Sequence, residues 1–332
     1  MNYPLQETRA KMRTLGLKPN IYNNSVVAAE AFRRDIEVTT IGSGVRLNMR
    51  HGDIEHFWRL GSNSLNTELA IKCSDLKEIT SRLLRASGIN APENAVFESH
   101  DAKRAWAWAE PVVPVVVKPK NGLQGTGVFV DIDTWEDFSQ AFETVASMKN
   151  EVLVERFHPG NDHRVLVINN KVVAATRRFP ANVCGDGILN ISELVEAKNK
   201  TRRFIHKKLT IDGSVHRHLQ KEGRTLSTIP KAGEIVFLRG TANLHTGGDA
   251  MDATDSLTEE QITLAENASR AIPGLLIAGF DILLPDSPKG KASVLEVNQN
   301  PMISMHHYPW IGEPRDAASA VLNAMFPETN LA

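Results

Sequence analysis

The chain is 332 residues long, 42% hydrophobic and nearly neutral, with a formal net charge of −1. This length can bury one large core or two to three smaller ones, and the balanced charge offers no global attraction for nucleic acid or for an anionic membrane surface. Because there are two cysteines, no apolar N-terminal signal and no run approaching about 18 apolar residues, we expect a protein of the reducing cytoplasm without a disulfide framework or a membrane span.

The first 70 residues are mixed in character and carry no chemical motif. A helix is predicted over 26–34 (VVAAEAFRR), and the alternation at 36–42 (IEVTTIG) indicates a strand. We interpret residues 1–70 as a short leading unit, either a truncated domain or a cap, in front of a larger domain over residues 71–327.

Regular strands and helices follow. A helix is predicted behind Ser74 and Asp75, which are good N-cap types, and Gly88 fits its end. A β-branched run then ends on Lys118 and Lys120, followed by a glycine-rich hairpin (NGLQGTGVFVDI), a helix (TWEDFSQAFETVASM) and a strand (EVLVERF). This succession predicts an α+β or α/β fold.

The second half of the chain contains a hairpin, an insertion and a last α/β unit. The strands HRVLVI and KVVAATRRF meet at Asn169-Asn170, a good tight-turn pair. Residues 184–232 are polar and basic with one helical patch (ISELVEAKNK), and we expect a lid-like insertion there. Its cations suggest an anionic ligand, and the alternative is a solvated loop. The last unit has a helix (LTEEQITLAENASRAI) and two strands (LLIAGFDILL and ASVLEVNQN).

The first set of residues with chemical meaning lies in VVVKPKNGLQGTGV. Lys118 ends a strand and faces a loop with Gly122, Gly125 and Gly127, and glycines let backbone N–H groups approach phosphate oxygens. The order of a Walker motif is absent, and a strand rather than a helix follows, which argues against a dinucleotide-binding fingerprint. The alternative is an ordinary glycine turn.

The second set is Asp281, Glu296 and Asn298. Glu296 and Asn298 are two apart on a predicted strand, so their side chains share a face. Asp281 lies on an apolar strand, where a carboxylate needs a partner or a metal. Three oxygen ligands suit Mg²⁺ shared with nucleotide phosphates, and the alternative is a hydrogen-bonded sheet edge.

The third set is Arg164, Arg178 and Arg239. The first two lie on the two strands of one predicted hairpin, and a guanidinium fork suits phosphate and carboxylate oxygens. Each arginine taken alone is also compatible with a surface salt bridge. The histidine pairs at 216/218 and 306/307 lack a third spaced ligand and a closing carboxylate, so zinc is not expected.

Together these motifs resemble the ATP-grasp superfamily. The runs that carry the resemblance are VVVKPKNGLQGTGV, VLVERFHPGNDHRVLVINNKVVAATRRFPANVCGDG, IPKAGEIVFLRGTANLHTGGDAMDATD, GFDILL and LEVNQNPMISMHHYP. The chain is similar to the ATP-grasp module of cyanophycin synthetase and to the glutathione-synthetase module of the bifunctional glutamate–cysteine ligase/glutathione synthetase, over roughly residues 55–315. The resemblance implies an α+β fold in which two subdomains clamp ATP between sheets.

The resemblance also implies a role for particular residues. The nucleotide would be held by a set of phosphate, lid, hinge and ribose residues: Lys77, Lys118, Lys120, Gly122, Gly125, Gly127, Glu155, Arg156, Phe157, His158 and Asp162. Arg164, Arg178 and Arg239 would be catalytic. Asp281, Glu296 and Asn298 would bind magnesium, and Asn300 and Asn243 would face the substrate. One departure is Leu76, which stands where an aspartate is usual in the family.

The implied activity is an ADP-forming carboxylate–amine ligase that works through an acyl phosphate. The resemblance implies ATP and Mg²⁺ as cofactors, with two magnesium ions and with Mn²⁺ as an alternative metal. It implies amino-acid or small-peptide substrates, no nucleic-acid or membrane partner, and a homodimer. The alternatives are glutathione-synthetase-like activity on a γ-glutamyl dipeptide, an ATP-grasp kinase, and a regulatory nucleotide-binding module. Since about 70 residues precede the match and nothing follows residue 332, we expect a stand-alone ligase whose acceptor differs from both relatives.

Overall fold

The chain opens with two helices and a four-stranded antiparallel sheet. In the computed structural model, which describes residues 5–121, 127–203, 205–286 and 290–330, these elements are α1 (Leu5–Thr14), α2 (Tyr22–Arg33), β1 (Glu37–Thr39), β2 (Leu47–His51), β3 (Ile54–Arg59) and β4 (Ser62–Asn63). The helix predicted over 26–34 is confirmed and starts earlier, at Tyr22. The strand predicted at 36–42 is confirmed as β1, whereas the β2–β3 hairpin is absent from the sequence prediction.

A second four-stranded antiparallel sheet carries helices of its own. Its unit contains α3 (Glu68–Asp75), α4 (Lys77–Ala86), β5 (Asn94–Glu98), α5 (Ala102–Ala109), β6 (Val115–Pro119), β7 (Phe129–Ile132), α6 (Trp135–Met148) and β8 (Glu151–Arg156), in strand order β5-β8-β6-β7. The strands predicted on both sides of the glycine-rich loop are confirmed, because Val117 of β6 pairs with Phe129 of β7. Gly122 and Gly125 lie outside the described residues.

The start of α4 corrects one prediction. The sequence predicts Ser74 and Asp75 as its N-cap residues, but both belong to α3, whose own N-cap is Thr67. The Ser74 hydroxyl instead donates to a carbonyl one turn earlier in α3, 2.8 Å away. Leu76, in an extended conformation, separates the helices and caps α4 without a side-chain hydrogen bond. Gly88, with φ of 76°, follows the C-cap of α4 as predicted.

The largest sheet comes from the second half of the chain. Its elements are β9 (Asn161–Ile168), β10 (Lys171–Phe179), β11 (Asn182–Cys184), α7 (Ile191–Thr201), α8 (Gly213–Lys221), β12 (Ile235–Phe237), β13 (Asp249–Asp252), α9 (Glu259–Arg270), β14 (Ile277–Leu284), β15 (Ser293–Asn298), α10 (Ser304–His307) and α11 (Ala317–Met325). Five strands pair antiparallel in the order β13-β10-β9-β14-β15. The turn predicted at Asn169-Asn170 is confirmed, since both residues have positive φ (50° and 59°).

Shorter elements complete the chain. Single 3₁₀ turns occupy Glu110–Val112, Leu244–Thr246, Thr254–Ser256 and Pro327–Thr329. The segment predicted as an insertion is closed by a ribbon in which β11 pairs with β12, and α7 and α8 pack around a core of their own. The helix predicted in ISELVEAKNK is confirmed as α7, which begins with a capping box between Asn190 and Glu193.

The leading residues share their core with the largest sheet. Trp58 and Leu47 are fully buried in one cluster with Leu166 of β9, Ile277 of β14 and residues of α11. Burying a large apolar side chain contributes about 1.5–3 kcal/mol, so this contact holds the leading unit on one face of the five-stranded sheet. Among the described residues, none of the helices combines the length and the apolar character that crossing a bilayer requires.

Candidate active site

Four side chains form a row across the five-stranded sheet. Asp281 on β14 lies opposite Glu296 on β15 and opposite Arg164 on β9, and Arg164 in turn lies opposite Thr176 on β10. Directly opposed residues of antiparallel strands share a face of the sheet. Asp281, Glu296 and Arg164 therefore point to the same side of the sheet. Asn298 and Arg178 each lie two residues from a member of the row and share that face.

Asp281 is the centre of a buried ion-pair network. Arg164 donates to both oxygens of the Asp281 carboxylate, and Arg178 donates to Asp281 Oδ2 (2.8 Å) and to Asp162 Oδ1 (2.6 Å). The side chains of Arg164, Arg178 and Asp281 are 10%, 15% and 12% exposed. Two guanidinium groups are thus neutralised by two carboxylates away from water, where an unpaired charge is costly.

The network shifts the pKa values of its members. Burial opposes ionisation of Asp281, but Arg164 and Arg178 outweigh burial and lower the pKa of Asp281 to about 2. Burial also opposes the charge on Arg178, yet Asp281 and Asp162 raise the pKa of that guanidinium above its ordinary value. Burial raises the pKa of Asp162, against the pull of Arg178. At neutral pH, Asp281 and Arg178 are both charged.

Gly279 makes room for Arg164 on the sheet. It precedes Asp281 by two residues on β14 and therefore lies on the same face. A Cβ at this position would lie 2.7 Å from Cδ of Arg164, closer than real Cβ atoms come to any neighbour. A glycine is therefore required for Arg164 to lie across β14 and reach the carboxylate.

Two predicted phosphate lysines lie at the end of β6. Lys118 donates to Glu155, and Lys120 donates to Glu151 over 2.8 Å. The Lys118 side chain is 14% exposed. Both carboxylates belong to the neighbouring strand β8. A nucleotide phosphate would therefore compete with carboxylates for the two ammonium groups.

The first residues of α4 connect the lysines with the magnesium set. Lys77 Nζ lies 3.8 Å from Glu296 Oε1, and the next residue, Glu78, has Oε1 at 3.8 Å from Lys120 Nζ. Two adjacent residues of α4 thus contact different sheets. Lys77 contacts the five-stranded sheet, and Glu78 contacts Lys120 at the edge of the sheet formed by β5 to β8. Lys120, just after β6, and Glu296, at one end of the row, therefore both adjoin the start of α4.

The predicted adenine hinge, Glu155 to His158, joins the same two sheets. The N–H of Arg156 donates to the Glu93 carbonyl and that of Phe157 to the Pro114 carbonyl, each over 2.9 Å. These two N–H groups are committed to the protein, so a base would use other hinge groups. His158 Nδ1 lies 2.6 Å from Ser293 Oγ, and burial followed by the charge of Arg156 lowers the pKa of His158.

Four predicted site residues have hydrogen-bond partners within the protein. Arg239 donates to Asp212, the N-cap of α8, over 2.6 Å, so its described ion pair is with the insertion. Asn243 caps a 3₁₀ turn by accepting the N–H of His245 (2.8 Å). Asn300 lies directly after the row, and its N–H donates to Asn298. Asp162, predicted on the ribose, is engaged by Arg178.

One residue beside the network was not predicted. His306 Nδ1 lies 2.9 Å from Thr176 Oγ1, in the row of Arg164. Burial, followed by the charge of Arg164, lowers the pKa of His306 to about 3, so the ring is neutral. The sequence shows only adjacent histidines at 306 and 307, and neither spacing nor pattern points to a contact with β10.

A cavity of about 260 Å³ lies beside the arginine end of the row. Ala250 lines this cavity and is the direct cross-strand partner of Arg178, so the two share a face. The wall combines residues of the leading unit, the insertion and the segment after β15, among them Tyr22, Asn23, His206, Lys207, Met302, Ser304 and Tyr308. No single stretch of sequence could have indicated a wall of this kind.

The predicted magnesium ligands, Asp281, Glu296 and Asn298, supply two carboxylates and one amide oxygen. Within the described ranges, no cluster of three His, Cys, Asp or Glu side chains is placed to hold a metal, so the predicted set depends on the amide oxygen of Asn298 as third donor. Asp281 and Glu296 are directly opposed, and the Glu296 side chain is 46% exposed. Carboxylate and amide oxygens are the donors Mg²⁺ prefers, although the Asp281 oxygens would be shared with the arginines.

Comparisons with known proteins identify the family of one domain in this chain. A family model for the RimK-like ATP-grasp domain matches residues 74–187. The cyanophycin synthetase of Trichormus variabilis is 33% identical over 97% of this chain and 36% of that protein. The bifunctional glutathione biosynthesis protein GshAB of Pasteurella multocida is 31% identical over 85% of this chain and 39% of that protein.

A solved structure is similar over nearly the whole chain. The crystal structure of a bifunctional glutathione synthetase from Pasteurella multocida superposes with a TM-score of 0.71 at 27% identity, covering 94% of this chain and 44% of that one. The chain therefore belongs to the ATP-grasp superfamily, which confirms the resemblance and the α+β fold predicted from the sequence. It spans little more than a third of the length of the curated relatives that it matches.

Proposed function

We propose that the protein is an ADP-forming carboxylate–amine ligase that makes an amide bond through an acyl phosphate. The observation that carries the proposal is the row in which Asp281 is opposed to Glu296 on one side and bound by Arg164 and Arg178 on the other. Such a row offers an anionic end for metal and a cationic end for phosphoryl and acyl oxygens on one face. In this proposal the attacking group of each step belongs to a substrate, so no side chain of the row has to act as a nucleophile.

In the first step a substrate carboxylate attacks the γ-phosphate of ATP and releases ADP. Lys118 and Lys120 would leave their carboxylate partners to neutralise phosphate oxygens, and Arg164 and Arg178 would face the transferred group. Magnesium, held by Asp281, Glu296 and Asn298, would supply further charge neutralisation. The protein acts by positioning and by preorganised charge, since the attacking group belongs to the substrate.

In the second step an amine attacks the acyl phosphate and releases inorganic phosphate. The oxyanion that forms would be stabilised by the guanidinium groups of Arg164 and Arg178, which are already fixed by Asp281 and Asp162. The cavity beside Ala250 is the proposed approach of the amine, because it adjoins Arg178 on the side away from the metal set. The insertion at 184–232 would act as a lid against water, since acyl phosphates hydrolyse.

The substrate class rests on relatives rather than on the site alone. Cyanophycin synthetase and glutathione synthetase are the names of the matched proteins, so we propose an amino acid or a small peptide as acid. Glutathione-synthetase-like activity on a γ-glutamyl dipeptide is the second candidate, favoured by the structural similarity over 94% of the chain. Two magnesium ions, a homodimer and a cytoplasmic location belong to the same proposal and rest on the family resemblance.

A substrate screen tests the proposal. Purified protein with Mg-ATP is offered pairs of amino acids and γ-glutamyl dipeptides, with phosphate release as readout and mass spectrometry for the product. We expect phosphate release that requires both an acid and an amine, with one amide per ADP. ATP turnover that needs only one acceptor and gives a stable phosphorylated product would indicate a kinase instead. Full activity in Lys118→Ala would contradict the phosphate site.

A further inference from the structure

The loop between β15 and α10, residues 299–303, connects both ends of the site. Asn298 Oδ1 accepts a hydrogen bond from the N–H of Asn300 (2.9 Å), so the path of the loop decides how the Asn298 amide is oriented. Farther along, Met302 and Ser304 line the cavity. A shift of this loop would therefore turn a proposed metal ligand and move the wall of the cavity together.

Asn23 of α2 holds this loop with both ends of its side-chain amide. Its Nδ2 donates to the carbonyl of Pro301 (3.0 Å), and its Oδ1 accepts the N–H of Ser304 (3.2 Å). Asn23 is only 7% exposed. Removing the amide would take the acceptor from the buried N–H of Ser304, which is the costly case for a hydrogen bond. The Pro301 carbonyl would keep only its bond from the N–H of Ile303 (3.1 Å).

Two more residues of the leading segment contact the same loop. Gly61 lies so close beneath it that a Cβ would come within 2.5 Å of the Asn300 carbonyl carbon. Asn66 Nδ2 donates to the Ile277 carbonyl (2.8 Å) and to the Gln299 carbonyl (3.4 Å). The leading segment therefore contacts the loop from its first residue to the start of α10.

We infer that Asn23 is a positioning residue, which fixes the 299–303 loop and through it the orientation of Asn298 toward the metal. The inference rests on the proposed function in taking Asn298 as a magnesium ligand. Asn23 is not among the residues proposed to hold the nucleotide or the metal. It gives the leading unit, which carries no sequence motif, a part in metal binding.

The test measures ADP binding to the full chain by calorimetry at a series of Mg²⁺ concentrations. Loss of a partner that orients a metal ligand typically costs about 10–100-fold in metal affinity. In Asn23→Ala we therefore expect the Mg²⁺ concentration that half-saturates ADP binding to rise at least about ten-fold. ADP binding in EDTA should change less than about two-fold, because the lysines and the hinge are untouched.

The next residue supplies a matched control. Asn24 is 1% exposed, and its amide also makes two hydrogen bonds. Its Nδ2 donates to the Val45 carbonyl (2.5 Å), and its Oδ1 accepts the N–H of Leu60 (2.9 Å). Both partners lie inside the leading unit. Asn24→Ala should lower the melting temperature as much as Asn23→Ala does, while the Mg²⁺ dependence stays as in the wild type.

Two results from the variants would overturn the inference: an unchanged Mg²⁺ dependence in Asn23→Ala, or an equal shift in both variants. If Asn23→Ala does not fold, Asn23→Asp is titrated against Asn24→Asp with the same expectation, since aspartate keeps the Ser304 bond and sets an oxygen against the Pro301 carbonyl. A wild type whose ADP binding ignores Mg²⁺ would also overturn it. A wild type that binds Mg-ADP but forms no amide would refute the ligase proposal alone.

Discussion

Asp281→Asn removes one negative charge from the centre of the ion-pair network and changes little in shape. In the wild type the guanidinium groups of Arg164 and Arg178, 10% and 15% exposed, face the carboxylates of Asp281 and Asp162. In the variant they retain one carboxylate between them. Leaving a buried charge without its partner costs about 3–5 kcal/mol. Larger chains lose about 2 °C in melting temperature per kcal/mol, so we expect a decrease of roughly 6–10 °C.

Thermal unfolding followed by circular dichroism, with urea unfolding at 25 °C, measures this loss. Asp286→Asn is the control, because Asp286 follows the same strand but is exposed, and a surface substitution of this kind changes stability by about 0.5 kcal/mol or less. If Asp281→Asn melted within about 2 °C of the wild type, the two arginines would not depend on this carboxylate, and the network would not be the organising feature of the site.

Three further outcomes follow from the same geometry. Lys118→Met should raise the ADP concentration for half-saturation about ten-fold or more, because a charge-assisted hydrogen bond to phosphate worth about 1.5–3 kcal/mol is lost. A change below about two-fold in calorimetry would place Lys118 outside the site. Because the pKa of Asp281 is lowered to about 2, ionisation of this carboxyl group stabilises the fold at pH values above its ordinary pKa near 4. This stabilisation is lost as the pH falls from about 4 to 2. The urea midpoint should therefore fall more steeply over this range in the wild type than in Asp281→Asn. Gly279→Ala should destabilise by about 1–3 kcal/mol in urea unfolding, because its Cβ displaces Arg164, and an unchanged midpoint would show that Arg164 can take another path.

The site residues that the sequence predicted together are those related by local geometry. Glu296 and Asn298 share a face because they are two apart on one strand, and Arg164 and Arg178 meet because one tight turn joins their strands. Side-chain period and turn chemistry are properties of short stretches of sequence, so the sequence alone is enough to predict these sets. That Asp281 would be bound by both arginines follows only from the order of strands in the sheet.

Contacts between distant segments could not be predicted. The sequence shows Arg239 as one more arginine, and its pairing with Asp212 depends on how the insertion folds back. Asn23 meets Pro301 across 278 positions of sequence, and nothing in the pattern around either residue marks the contact. Hydrophobic period assigns a residue to a helix face, but it does not identify the loop against which that face packs.

The most direct test of the proposed chemistry follows oxygen from the acid to the released phosphate. The acid that supports phosphate release in the substrate screen is prepared with ¹⁸O in its carboxylate and incubated with amine, ATP and Mg²⁺. An acyl phosphate requires one carboxylate oxygen to leave with the phosphate, so we predict one ¹⁸O atom in each phosphate released per amide formed. Unlabelled phosphate, released while amide accumulates, would contradict an acyl phosphate and with it the role assigned to the row of Asp281.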